Sequence, residues 1–155
     1  MFQRIPAGPA ACLLLALAVG LPCSVSDVGS APMLAPTPDA SADADYNVGL
    51  HEKEAKRFPA AVASFRRAVE VRPNFPEAWN ELGFALRQTG KYEEALRAYD
   101  QALKLRPNFP EAMEYQGEAY AKLGRLDDAR TVLKRLKPLD AARAKELEEA
   151  IRTAR

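Results

Sequence analysis

The chain has 155 residues, enough for one domain with accessory segments. It is 48% hydrophobic and 28% charged, with a formal net charge of +1. That balance excludes a chain disordered throughout, and it gives no basis for nucleic acid or an anionic membrane surface as partner.

The first segment reads as an address. Arg4 is the only charged side chain before Asp27, and the apolar run Ala10 to Leu21 lies between them. A bilayer-spanning helix needs roughly 20 apolar residues, so this run is too short, and Pro9 and Pro22 bracket it. Residues 1–26 therefore read as a secretory signal peptide, cleaved after Ser26, with Ser30 as second choice. The alternative is an uncleaved signal that anchors the protein in the inner membrane. Cys12 and Cys23 both fall inside the segment, so a processed chain has no cysteine, which fits an oxidising compartment. Gly20 and Pro22 before Cys23 argue against lipidation there. The expected location is periplasmic or secreted, with no membrane insertion after cleavage.

Residues 27–41 are dominated by Pro, Ala, Ser and Asp and read as a flexible linker, with Pro32, Pro36 and Pro38 opposing regular structure.

A repeat follows. Arg72-Pro73-Asn74-Phe75-Pro76-Glu77-Ala78 returns unchanged as Arg106-Pro107-Asn108-Phe109-Pro110-Glu111-Ala112. The same spacing links Gly49, Gly83 and Gly117, then Phe65, Tyr99 and Leu133, then Ala61, Ala95 and Ala129. A fixed period of this length marks a stacked array of helical units. Three units are read at 42–75, 76–109 and 110–140. In the middle one, Pro76 suits a first helical turn and Gly90 suits a helix end. Tyr92 to Leu105 then shows helical spacing at Ala95, Leu96, Tyr99, Ala102 and Leu103. Gly83 and Ala102 are expected where helix backbones approach closely. The early Pro138 shortens the last helix of the third unit. Asp140 is a plausible N-cap for a capping helix over residues 141–155 that covers the open end of the array.

Trp79-x-x-Leu82-Gly83-x-x-Leu86, followed by Ala95-x-x-x-Tyr99, Ala102 and Pro107, resembles the tetratricopeptide repeat. The resemblance covers residues 42 to 136 and is most specific in the middle unit. The first unit departs from it, with Asp45 where the tryptophan belongs and Glu52 where a large apolar group is usual. The resemblance implies an all-α fold, a right-handed superhelix of about three helix pairs plus the capping helix. It also implies a concave groove that holds a partner's peptide.

Successive residues rotate by about 100° around a helix. Leu82, Gly83 and Leu86 then fall near Trp79, on the core side. The opposite side, which the resemblance assigns to the groove, carries Asn80, Glu81, Phe84 and Arg87. The first unit contributes Tyr46, Asn47 and Leu50, and the third Glu111, Glu114, Tyr115 and Glu118. Phe84 suits groove or packing equally, whereas Leu50 favours packing. Asn80 and Tyr115 lean toward exposure. One subset of the family grips a terminal carboxylate with Lys, Arg and Asn, and the acids here depart from that pattern. Glu111, Glu114 and Glu118 would instead favour a partner carrying Lys or Arg.

Catalysis is not expected. His51 is the only histidine, it sits among charged residues, and no phosphate loop or nucleophile elbow occurs. No cofactor or metal is expected. The partner is a protein or peptide, the protein is expected to be a monomer, and its role is an adaptor or assembly factor in the bacterial cell envelope. The alternative is a structural subunit packed permanently in a larger envelope or secretion complex.

Overall fold

The computed structural model describes residues 37–154; the segment read as a signal peptide, and the linker up to residue 36, lie outside the described residues. Among the described residues there are seven helices and no strand. They are α1 (Pro38–Glu54), α2 (Phe58–Val71), α3 (Pro76–Gln88), α4 (Tyr92–Leu105), α5 (Pro110–Lys122), α6 (Leu126–Leu136) and α7 (Ala141–Thr153).

Pro38 corrects the linker reading for residues 38–41. It opens α1 rather than breaking it, because a first-turn proline forfeits no helical hydrogen bond. Thr37 caps this end, its Oγ1 accepting from the Ala40 N–H at 3.3 Å. Pro76 and Pro110 open α3 and α5 in the same way.

Each odd helix packs along the next even one, and each even helix then packs against the next odd one. Between them lies one core that includes Phe65, Leu82, Leu86, Tyr99, Met113 and Leu136. Burying side chains of this size contributes about 1.5–3 kcal/mol each. Trp79 is only partly buried, and its Nε1 donates to the Pro73 carbonyl at 2.8 Å, tying the helix to the turn before it.

The small residues act differently from the backbone-contact expectation. A Cβ on Gly49 would lie 2.5 Å from the Phe65 ring, and one on Gly83 would lie 2.5 Å from the Tyr99 ring. The glycines thus form seats for buried aromatic rings from the partner helix. α1, α3 and α5 end alike: the N–H groups of Arg57, Lys91 and Arg125 donate to the carbonyls of Glu52, Leu86 and Tyr120. This wrap needs a left-handed residue, which is Gly90 at φ 79° and Gly124 at φ 73°, but Lys56 at φ 57° in the first unit.

α6 is shorter than α2 and α4, and the turn after it delivers α7. Asp140 caps α7, its Oδ1 accepting from the Ala142 and Arg143 N–H groups, each at 3.0 Å. α7 does not simply continue the stacking order. It leans on α5 at least as heavily as on α6, whereas α1 and α3, or α3 and α5, meet only lightly. No helix among the described residues is long and apolar enough to cross a membrane.

Candidate functional site: the inner face of α1, α3 and α5

Odd helices are set side by side, so their inner sides form one continuous surface. An aromatic row runs across it. The Phe84 ring lies 6.3 Å from Phe58 and 5.4 Å from Tyr115, centroid to centroid. Tyr115 in turn lies 6.3 Å from the buried Tyr99. Lys53 and Arg87 flank Phe84, their charged groups 5.5 and 5.4 Å from its ring centroid. Arg87 also covers Tyr115 at 5.0 Å. Phe84 and Tyr115 are both partly exposed, so they present apolar edges between cations.

Ion pairs cross the same surface from helix to helix. Lys53 of α1 bonds Glu81 of α3 at 2.6 Å, Arg87 of α3 bonds Glu118 of α5, and Arg143 of α7 bonds Glu114 of α5. Burial pushes the Glu81 and Glu114 carboxyls above their ordinary value, and the bonds from Lys53 and Arg143 pull them back. Tyr46 is pushed up to about 12 by its burial and then by the nearby Glu81, Glu77 and Glu111.

Of the residues read as groove-lining, Asn47 is exposed, and Tyr46, Glu81, Phe84, Arg87, Glu111, Tyr115 and Glu118 are partly exposed on this surface. Leu50 is partly buried and packs on the core. Asn80 and Glu114 correct the reading, being only 1% and 3% exposed. Glu114 is closed over by Arg143 of α7. Of the three acids expected to attract a cationic partner, Glu114 and Glu118 already hold Arg143 and Arg87.

α7 adds a wall that the sequence did not disclose. Ala150, Thr153 and Ala154 face Arg87, Glu118, Ala121 and Lys122 across a cavity of about 400 Å³.

The sequence profile of the tetratricopeptide repeat family matches residues 46–96 and 82–144. The chain belongs to the tetratricopeptide repeat family. Solved tetratricopeptide domains share its fold. The Arabidopsis OM64 domain superposes with a TM-score of 0.71 at 16% identity, over 76% of this chain and 98% of that one. The second domain of human RPAP3, solved with the HSP70 peptide SGPTIEEVD, gives 0.71 at 20% identity, over 75% and 98%. The yeast Sti1 TPR2B domain, solved as a pHsp70 complex, gives 0.68 at 19% identity, over 74% and 95%. No match was found among curated protein sequences. In this tetratricopeptide array, the surface just described is carried by the odd helices α1, α3 and α5.

Proposed function

We propose that the protein is a non-catalytic interaction module that holds an extended peptide or a partner protein's segment against Phe84 and Tyr115. The carrying observation is the partly exposed aromatic row set between helix-bridging ion pairs. Aromatic edges supply contact area, and the charges fix register and orientation. The peptide complexes of the yeast and human relatives support the same use of the fold. A carboxylate clamp is not part of the proposal, since the third unit sets the acids Glu111 and Glu118 on this face.

The leader pattern in residues 1–26 supports export, so the module is assigned to the bacterial periplasm as an adaptor or assembly factor. A second reading has one observation in its favour. Val71, Leu105 and Leu139 recur at the repeat spacing, and each stays exposed, at 40%, 37% and 41%. Such a row suits a structural subunit lodged permanently in a larger envelope or secretion complex.

Affinity capture from the cell envelope tests the groove. The comparison is wild type against a Phe84→Ala, Tyr115→Ala double variant, with helicity checked by circular dichroism. Loss of one partner from a helical variant is the expected result. Capture that survives the double substitution rejects the groove.

A further inference from the structure

An ion pair repeats with the array. Asp43 pairs with Arg72, and the residues one repeat later, Glu77 and Arg106, pair likewise. Each arginine also covers a phenylalanine three positions on: Arg72 lies 3.7 Å from the Phe75 ring centroid, and Arg106 4.7 Å from that of Phe109. The third copy would join Glu111 to residue 140, with an aromatic group at 143. The chain has Asp140 and Arg143 there instead. Asp140 caps α7, and the arginine has moved one helical turn, where it holds Glu114. Glu111 is thereby left with no ion-pair partner among the described residues, on the inner face of α5.

A second observation points to the same place. Asn80 is 1% exposed, and its Oδ1 accepts no hydrogen bond among the described residues. On α3, Phe84 and Arg87 reach Tyr115 and Glu118 of α5. Asn80 is on that side of α3, one turn before Phe84, and Glu111 is likewise one turn before Tyr115 on α5. A buried amide oxygen without a donor is costly to the folded chain. A carboxylate beside it can only accept.

We infer that Glu111 and the Asn80 amide oxygen form a subsite for a cationic side chain, Lys or Arg, on the peptide held in the groove. The inference rests on the groove reading above. An ammonium or guanidinium brings donors and no acceptors, so it satisfies both oxygens at once. An acidic peptide would instead set its charge beside Glu111 and Glu81. Glu81 is not part of the subsite, because Lys53 already occupies it.

The test uses the full chain and an array of short end-blocked peptides. Each peptide places Lys, Arg, Glu or Gln within one apolar background. Wild type should retain the Lys and Arg peptides over their Glu and Gln counterparts, with affinity that falls as salt rises. Glu111→Gln should weaken that binding about tenfold and flatten the salt dependence, since it removes a charged hydrogen bond. Glu149→Gln, on the outer side of α7, should change neither. The subsite is overturned if Glu or Gln peptides bind as well, if no cationic peptide is retained, or if Glu111→Gln binds like wild type. Unchanged binding by Glu111→Gln, with capture abolished by the Phe84→Ala, Tyr115→Ala variant, removes the subsite and leaves the groove standing. Unchanged binding by all variants removes both.

Discussion

Leu147 of α7 rests on Gly117 as Tyr99 of α4 rests on Gly83: a Cβ on either glycine would lie 2.5 Å from the covering side chain. In the first two units the cover comes from the unit's own second helix. In the third, position 133 holds a leucine, smaller than Phe65 or Tyr99, and the seat is taken by a helix from outside the repeat. Leu147 is fully buried there.

Leu147→Ala should therefore cost about 2–5 kcal/mol, the usual range for emptying a buried leucine site. Denaturant unfolding gives the loss, and hydrogen exchange should locate it, with amides of α7 and α5 losing protection first. Exchange that quickens only in α1 and α2 would contradict the role given to α7.

At Gly83, helix propensity and packing oppose each other. Alanine gains about 1 kcal/mol over glycine in a helix interior. Against this, the new methyl would meet the ring of fully buried Tyr99, and overpacking typically costs about 1–3 kcal/mol. Tyr99 is boxed in, so the clash should win. Gly83→Ala is expected to lower the unfolding midpoint, and a rise would show that the ring can shift freely.

Lys56 is the converse case. It holds the left-handed position that glycine holds in the next two units, and for a residue with a Cβ this costs about 1–2 kcal/mol. Glycine also loosens the unfolded chain, which recovers part of that cost. Lys56→Gly should stabilise by about 0.5–1 kcal/mol, read as a higher melting temperature with binding unchanged. A lower melting temperature would mean that the lysine side chain contributes more than its backbone strain removes.

Glu114 should show an inverted pH response. Burial holds its folded carboxyl above the ordinary value, despite the opposing bond from Arg143. The folded state therefore keeps its proton to higher pH than the unfolded one. Stability from this group falls as pH rises from the ordinary value through the folded value, and returns on acidification. Unfolding free energies of wild type and Glu114→Gln, measured from neutrality down to about pH 5, should shift in favour of wild type as pH falls. A shift toward the variant would contradict the stated direction.

Much of the fold was legible because the spacing repeats. Leu82 was assigned to the core from its angular place beside Trp79 and Tyr99 from its return at one interval, and both are buried. The helix Tyr92–Leu105 has the bounds that its spacing gave. Asn80 and Glu114 were misread for one reason. A single helix wheel separates core from open side but carries no record of the helix beside it, and α3 against α5, or α5 against α7, covers the flank between. Pro38 was read as a breaker because composition does not tell a first turn from a middle one. The wall made by α7 was invisible because an amphipathic stripe says that a helix is covered, not what it covers.

The exchange at position 140 has a consequence for size. Where earlier units end in an arginine that clasps the preceding acid, the last ends in an aspartate that starts a different kind of helix. Chain growth by duplication thus has a built-in terminator, written mainly in two residues, Asp140 and Arg143. Splicing further copies of residues 76–109 ahead of that terminator should lengthen the rod stepwise while leaving both its ends, and the carboxylate left over at the last junction, as they are.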